Sequence, residues 1–282
     1  MTKDTVHVLM TGLAFGESPR WHDGRLWFSN WGAQEIIAVD PKGKSEVVVR
    51  LLFPSFPFSI DWLPDGRLLI ISSSDQPLVR QESDGSLVPH ADLSGGFNEI
   101  VVDGRGNAYI NGAGFNPLAG EKFAPGIITL VTPDGSSKQV AEGIAFPNGM
   151  VITPDTSTLI VADSYGKKLT AFDIANDGGL SKQRVWADLG EGTPDGICID
   201  AEGAVWYADV PNKRCVRVRE GGEVLQMVEL DRGCFACMLG GADGKTLFMM
   251  AAEWYGMEKM VGAPRTGQVV TTKAPAPHAG RP

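Results

Sequence analysis

Long apolar runs and basic clusters are both missing from this sequence. No apolar run of about 18 residues occurs, and the opening MTKDTVHVLM lacks an apolar core of signal-peptide length. Lys and Arg number 25 against 34 Asp and Glu, which gives a net charge of -9, and no Lys/Arg run stands out. A surface that tracks nucleic-acid phosphates is therefore not expected. The sequence predicts a soluble, cytoplasmic protein with neither a nucleic-acid nor a membrane partner.

Cysteine is scarce, with four residues in the chain. Cys198 and Cys215 lie in apolar strand-like segments, where a free thiol packs like a small hydrophobic group. Cys234 and Cys237 form one C-F-A-C pair, without the second pair or the histidine that a zinc site needs. We therefore predict core packing for all four.

Helical periodicity is missing too, and a longer repeat replaces it. A turn followed by a run rich in Val, Ile, Leu and aromatic residues recurs six times, at Gly24, Gly66, Gly106, Ser157, Gly203 and Gly244. Successive turns lie 42, 40, 51, 46 and 41 positions apart. Two further strand-like runs follow each hairpin. Four short strands in roughly 40–50 residues are typical of one blade of a β-propeller.

The sixth unit lacks one strand. Its runs are Cys234–Leu239, Thr246–Ala251 and Gln268–Thr272. The chain then becomes KAPAPHAGRP, and proline cannot continue a ladder. Val6–Met10 is an unused strand that could complete the sixth blade and remove two exposed edges. We predict an all-β protein: one six-bladed propeller over residues 1–282, with four-stranded blades, closure by the N-terminal strand and a Pro-rich tail from about residue 273.

The first strand of each propeller blade lines the central channel, and all six enter from one face. Residues at these entries therefore converge: Glu17, Ser59, Asn98, Asn148, Asp195 and the Phe235–Cys237 region. Four of the six positions carry Asp, Glu or Asn oxygens, which hard divalent cations such as Ca²⁺ and Mg²⁺ prefer. Two carboxylates would neutralise a divalent ion. The sequence thus points to a cation site at the channel mouth.

A plainer interpretation exists for two of these residues. Asn148 and Asp195 stand in P-N-G and P-D-G, which are common turn tripeptides, and each taken singly favours a turn. Both precede apolar runs at equivalent points of two units, however, and Glu17 occupies the same point of the first unit. The coincidence favours a shared site.

Six blocks of the sequence carry a resemblance to a known family: ESPRW, LWFSNW, FNEIVVD, FPNGMVITPDTSTLIVADS, PDGICIDAEGAVWYAD and the closing AGRP. Through these blocks the chain resembles the senescence-marker-protein/gluconolactonase/luciferin-regenerating-enzyme-like family. The resemblance runs from about Leu13 to the C-terminus. It implies a six-bladed propeller that holds one divalent metal on its axis and hydrolyses a small-molecule lactone. Ca²⁺ ranks ahead of Mg²⁺, Mn²⁺, Zn²⁺ and Fe²⁺ as the expected cofactor. On the matching blocks, the resemblance implies Glu17, Asn148 and Asp195 as metal ligands, Asn98 as a substrate-binding residue and Asp195 also as the general base.

One position departs from the resemblance. Members that act on sugar lactones often carry an Arg two residues before the Asn98 position, where this chain has Gly96. That departure argues against a sugar-acid lactone. Several aromatic residues near predicted loops would make the pocket more apolar, although the sequence favours packing between blades for most of them: Trp31, Phe56, Phe115, Phe123, Phe146, Tyr165 and Trp254.

Two other functions stay open on the sequence. The propeller could be a non-catalytic binding protein with a structural ion, or the same site could hydrolyse other esters or phosphotriesters, because one fold hosts many chemistries. A His-dependent triad is not expected, since no G-x-S-x-G occurs and no histidine stands at a predicted strand entry. The sequence does not decide the oligomeric state.

Overall fold

The structure is a computed structural model that describes residues 5–52, 56–73, 75, 77–116, 119–256 and 264–281. These residues form 24 β-strands, and the one helical element with described bounds is a 3₁₀ turn, Trp31–Ala33. Across the same residues, no helix has the length and apolar character to span a bilayer.

The strands form six antiparallel sheets of four strands each. The chain starts with β1 (His7–Leu13). Blade 1 contains β2 (Gly16–His22), β3 (Arg25–Asn30), β4 (Glu35–Val39) and β5 (Ser45–Arg50). Blade 2 contains β6 (Phe58–Trp62), β7 (Leu68–Ser72), β8 (Leu78–Gln81) and β9 (Leu87–Ala91). Blade 3 contains β10 (Glu99–Val102), β11 (Ala108–Gly112), β12 (Gly126–Val131) and β13 (Ser137–Ile144).

The remaining blades follow the same plan. Blade 4 contains β14 (Pro147–Ile152), β15 (Thr158–Asp163), β16 (Lys168–Ile174) and β17 (Leu180–Asp188). Blade 5 contains β18 (Pro194–Ile199), β19 (Val205–Asp209), β20 (Arg214–Val218) and β21 (Val224–Glu229). Blade 6 contains β22 (Gly233–Gly240), β23 (Thr246–Ala252), β24 (Gly267–Lys273) and β1. The predicted all-β, six-bladed propeller is confirmed.

The N-terminal strand closes the ring as predicted. β1 pairs antiparallel with β24, from His7 opposite Thr271 to Leu13 opposite Gly267. The last blade is therefore built from both ends of the described chain. This pairing covers the edge that β24 would otherwise present.

The first strand of each blade forms the inner ring, since each of these strands contacts the first strands of the two neighbouring blades. Inner strands such as β6 and β10 are buried at every position, whereas outermost strands such as β5 are mainly exposed. The apolar faces of the inner strands and their neighbours pack between blades. Leu69 and Ile71 of blade 2, for example, share a core cluster with Ile100 and Val102 of blade 3. This packing fixes where each inner strand begins.

The Pro-rich tail crosses the lower end of the ring. Its backbone N–H groups donate to the lower ends of successive blades: His278 to Gly244, Ala279 to Ile199 and Arg281 to Ile152. As predicted, the tail forms no strand, although isolated bridges tie it to blades 4 and 5. Because Ile152 and Ile199 end the inner strands of blades 4 and 5, the tail lies at the face opposite the strand entries.

The four cysteines are free and buried in one apolar cluster between blades 5 and 6, as predicted. Cys198 and Cys237 lie with their Sγ atoms 3.8 Å apart. The C-F-A-C segment belongs to β22, so it is an inner strand and not a metal-binding loop.

Candidate functional site

The strand entries converge at the mouth of the channel. Glu17, Asn148 and Asp195 are each the second residue of an inner strand, and Asn98 immediately precedes β10. These four side chains line one cavity of about 820 Å³, which we call the mouth cavity. Ser59 is also a second strand residue, but it is buried, and its Oγ donates to the Asn98 carbonyl oxygen at 2.6 Å. Blade 6 contributes the Phe235 ring instead of an oxygen.

The P-N-G and P-D-G segments lie inside strands, so the turn interpretation is wrong for both. Their glycines permit close contact between inner strands. A Cβ at Gly149 would lie 2.6 Å from the Ile197 backbone nitrogen, and a Cβ at Gly196 would lie 2.5 Å from the Ala236 Cβ. The tripeptides therefore serve close packing of adjacent blades at the mouth.

Each predicted metal ligand lies at a β-bulge. The register shifts between Glu17 and Arg20 in blade 1, between Pro147 and Met150 in blade 4, and between Pro194 and Ile197 in blade 5. A bulge changes the direction of the side chain beside it, and bulges are common next to functional sites. Blades 2 and 3 have regular pairing at their first two strands. A bulge is thus found at all three candidate ligands, and blade 6 has one as well, between Cys234 and Ala236.

Hydrogen bonds join three of the four site residues. The Asn98 amide Nδ2 donates to Asn148 Oδ1 at 3.3 Å, and the Asn148 amide in turn donates to the Asp195 carboxylate. The backbone carbonyl of Asn148 accepts a hydrogen bond from Asn111 Nδ2 at 2.6 Å. This chain of amides holds Asp195 in a fixed orientation.

The two candidate carboxylate ligands carry perturbed acidities. Burial raises the pKa of Glu17 well above its ordinary value of 4.5, and the nearby charges of Asp195 and Glu99 raise it further. Burial likewise raises the pKa of Asp195 well above 3.8, with the charge of Glu99 adding to the effect. Both groups are thus enclosed carboxylates that repel each other, which is an arrangement often found at functional sites.

A second polar layer lies below the mouth, and the sequence analysis missed it. Arg20 Nη2 and Glu99 Oε1 form an ion pair at 3.0 Å, with both side chains almost fully buried. Ser18 Oγ also donates to Glu99 Oε1, at 3.1 Å. A signal was available, because Arg20 and Glu99 stand at or beside the predicted entries of inner strands, and buried charges are almost always paired.

The walls of the mouth cavity are largely aromatic. Packing between blades describes these residues only in part, although Trp31 and Phe56 do pack on a core cluster of blades 6 and 1. Most of the aromatic residues assigned to packing between blades line the cavity: Trp31, Phe56, Phe115, Phe146, Tyr165 and Trp254. Phe123 packs against Phe115, with ring centroids 5.5 Å apart. Phe15 and Phe235, which the sequence analysis did not single out for the pocket, also line it.

Comparison with known proteins agrees with this architecture. A regucalcin of Xenopus laevis is 28% identical over 250 residues, which cover 84% of this chain and 83% of the relative. A 6-deoxy-6-sulfogluconolactonase of Pseudomonas putida is 24% identical over 162 residues, which cover 56% of each chain. The crystal structure of a calcium-binding protein, regucalcin, from Agrobacterium tumefaciens superimposes with a TM-score of 0.80 at 22% identity, over 99% of this chain and 98% of that one.

The family assignment rests on a separate match to a family model that covers most of the chain. Residues 15–253, which run from blade 1 to the end of β23, match the SMP-30/Gluconolactonase/LRE-like region. This span contains all four residues of the mouth site. The chain therefore belongs to the SMP-30/gluconolactonase/LRE-like family.

Proposed function

We propose that this protein is a metal-dependent lactonase that hydrolyses a small-molecule lactone to a hydroxy acid. The observation that carries the proposal is the convergence of Glu17, Asn98, Asn148 and Asp195 on one cavity. Family membership supports the choice of reaction, and the Pseudomonas putida relative is named as a lactonase.

The charges at the mouth fit a divalent cation. Glu17, Asp195 and Glu99 interact as three neighbouring carboxylates, and Arg20 pairs with one of them. Two negative charges then remain, which a divalent cation would neutralise. Among the described residues no cluster of three His, Cys, Asp or Glu side chains could hold a metal, so the proposed set combines two carboxylates with an amide. Glu17, Asn148 and Asp195 would hold the ion, and their oxygens favour Ca²⁺, ahead of Mg²⁺, Mn²⁺, Zn²⁺ and Fe²⁺.

The residues at the mouth would have different roles in hydrolysis. When bound, the cation supplies Lewis acidity toward the lactone carbonyl and makes a water more acidic. Asp195 would accept the proton of the attacking water as the general base. Asn98 has two amide hydrogens and directs one to Asn148, so the other is free in our scheme to donate where negative charge develops. The ring C–O bond then breaks, and the leaving oxygen takes up a proton to become the hydroxyl group.

The test combines metal content with a substrate panel. Protein treated with a chelator is reloaded with Ca²⁺, Mg²⁺, Mn²⁺, Zn²⁺ or Fe²⁺ and assayed by pH-stat on lactones, open-chain esters and a phosphotriester. We expect lactone hydrolysis that disappears with the metal and returns with Ca²⁺. The same assay on Asp195→Ala should show at least a roughly 10²-fold loss, as expected for a general base. Full activity of that variant would overturn the role of Asp195.

The rival functions give different results in the same experiment. A binding protein with a structural ion would gain thermal stability from the metal and hydrolyse nothing. A different hydrolase would turn over the esters or the phosphotriester faster than every lactone. Either outcome would replace the proposed reaction.

A further inference from the structure

The mouth cavity has two aromatic walls. The blade 3/4 wall consists of Phe115, Phe146 and Tyr165, in which Phe146 and Tyr165 stack with ring centroids 4.6 Å apart. The blade 6/1 wall consists of Phe15, Trp31, Phe235 and Trp254, and Phe56 extends it by packing against Trp31 with ring centroids 5.1 Å apart. Neighbouring members contact each other, as Phe15 and Phe235 do at 4.5 Å. In a ring of six blades, blades 3 and 4 stand opposite blades 6 and 1, so the two walls face each other across the mouth.

Several polar groups near these walls are already engaged by the protein. Ser164 Oγ donates to the Pro194 carbonyl at 2.6 Å, and Ser73 Oγ donates to the Phe97 carbonyl at 2.9 Å. The indole nitrogen of Trp31 donates to the Phe58 carbonyl at 2.5 Å. A polyhydroxylated ring placed between the walls would have to compete with these contacts or leave some of its hydroxyl groups without a partner. Each buried hydroxyl left without a partner weakens binding substantially.

The charges of the cavity also limit what can bind. Within the described part of the chain, the lining includes Glu17, Glu121 and Asp195 but no Arg, Lys or His. A carboxylate, phosphate or sulfonate substituent carried between the walls would therefore meet no protein cation. The proposed metal would lie at the polar floor, where the lactone carbonyl has to bind. A neutral substrate fits this arrangement better than an acidic one.

We infer that the substrate is a neutral lactone that carries an aromatic group. This inference rests on the proposed lactonase activity and specifies its substrate class. The lactone carbonyl would face Asn98 and Asp195 at the floor, and the aromatic group would lie between the two walls. A cavity of about 820 Å³ is large for a bare lactone ring and lies within the range of roughly 300–1,000 Å³ that accommodates drug-sized ligands. Aromatic walls also favour a ring over an alkyl group of the same size, because ring pairs gain energy beyond the area they bury.

The test is a matched series of substrates assayed for kcat/KM on the metal-loaded protein. The series contains δ-phenyl-δ-valerolactone, its cyclohexyl analogue, its 4-carboxyphenyl analogue and glucono-δ-lactone. We expect the phenyl lactone to exceed the gluconolactone by at least tenfold, the effect of roughly one unsatisfied polar group. It should exceed the cyclohexyl analogue by roughly 2- to 10-fold. The carboxyphenyl lactone should be hydrolysed more slowly than the phenyl lactone. Equal or faster hydrolysis of gluconolactone would overturn the inference.

Two wall residues can be removed without disturbing the core. Tyr165 and Trp254 are 57% and 43% exposed, so Tyr165→Ala and Trp254→Ala should fold normally. Each should lower kcat/KM for the phenyl lactone by roughly tenfold, and should lower that for gluconolactone clearly less. Tyr255→Ala is the matched control, since Tyr255 is 42% exposed and does not line the cavity. A loss of the same size in the control, or for both substrates, would contradict a role of the walls in specificity.

Binding of an inert analogue separates this inference from the proposed reaction. δ-Phenyl-δ-valerolactam resists hydrolysis, and its binding can be measured by isothermal titration calorimetry. If the lactam binds and Tyr165→Ala weakens it while no lactone is hydrolysed, the aromatic specificity stands and the lactonase proposal fails. If gluconolactone is hydrolysed best and the lactam does not bind, the lactonase proposal stands and the aromatic specificity fails.

Discussion

Arg20 and Glu99 stand 79 positions apart in the sequence and form a buried ion pair beneath the mouth cavity, with 3.0 Å between Nη2 and Oε1. The pair joins the inner strand of blade 1 to that of blade 3. Arg20 also donates to the Ile100 carbonyl at 2.6 Å, and Ser18 Oγ bridges Glu99 to the Ile60 backbone N–H of blade 2. Three blades are thereby tied together directly below the candidate metal ligands.

Breaking this pair should cost much of the stability of the protein. In Arg20→Met, Glu99 remains buried without its cation and near two other carboxylates, so we expect a loss of about 3–5 kcal/mol in the free energy of unfolding. Denaturant unfolding in a chelator measures it. Arg67→Met is the control, since Arg67 pairs with Asp65 on an accessible surface and should have little effect. Equal effects of the two substitutions would contradict the importance of the buried pair.

The metal-free protein should become less stable as the pH rises. Glu17 and Asp195 have raised pKa values in the folded state, so folding favours their protonated forms. Their stabilisation is fully present below the ordinary values of 4.5 and 3.8 and is lost as the pH rises through the folded values. Melting temperatures from pH 4 upward in a chelator should therefore decline more in the wild type than in Glu17→Gln.

Calcium provides the counter-test for this pH dependence. A bound cation stabilises the ionised carboxylates. In saturating Ca²⁺, the melting temperatures of the wild type and of Glu17→Gln should therefore change with pH at more similar rates than in the chelator. Glu17→Gln should also bind Ca²⁺ more weakly in a calorimetric titration. An unchanged titration would remove Glu17 from the proposed set of ligands.

Asn98 should affect turnover more than metal binding. Asn98→Ala removes the amide proposed to donate to the developing negative charge, and loss of one such donor typically costs roughly 10²–10³ in kcat. The Ca²⁺ titration should stay near that of the wild type, because Asn98 is not among the proposed ligands. Steady-state kinetics and calorimetry on the same preparation check both expectations. A large loss of Ca²⁺ affinity with kcat unchanged would make Asn98 a ligand instead.

The repeats and the strand entries could be predicted from sequence because both follow local rules. Gly-containing turns at regular spacing define the blades, and propeller geometry brings the start of each inner strand to one face. Glu17, Asn148 and Asp195 were identifiable on that basis, and the structure places them around one cavity. Their roles as metal ligands remain a prediction.

The parts that sequence reasoning missed depend on contacts between distant residues. Ser18 has a φ of +49° inside a β-bulge, and a bulge changes which face the following residues occupy. No pattern in the ESPRW block shows that Arg20 meets Glu99, although both charges needed partners. Trp31 and Tyr165 were assigned to packing because an aromatic residue after a strand suits a blade interface and a cavity wall equally. Only the arrangement of the loops distinguishes the two.

The thiols should be inert in the folded protein. Cys198 and Cys215 are fully buried, and burial raises the pKa of each well above the ordinary value of 9.0. Burial alone would raise the pKa of Cys237 too, but hydrogen bonds from Cys198 and Cys215 bring it down to about 5. All four thiols are nevertheless buried, so reagents cannot reach them. Titration with Ellman's reagent at neutral pH should show almost no reaction in native protein and four thiols after denaturation. Rapid reaction of the native protein would contradict the core packing of this cluster.

Closure of the ring by β1 should be needed for a stable sixth blade. Deleting residues 1–13 removes the strand that pairs with β24 from His7 to Leu13 and leaves an exposed edge able to pair with other chains. Leu13 is also 2% exposed and belongs to the core shared by blades 6 and 1, so its loss opens a cavity as well. We expect a lower melting temperature and concentration-dependent association, measured by calorimetry and light scattering. Deleting only residues 1–4 leaves β1 complete and should preserve the wild-type behaviour. If the longer deletion also melts as the wild type does, β1 contributes little to the stability of blade 6, and β24 tolerates an open edge.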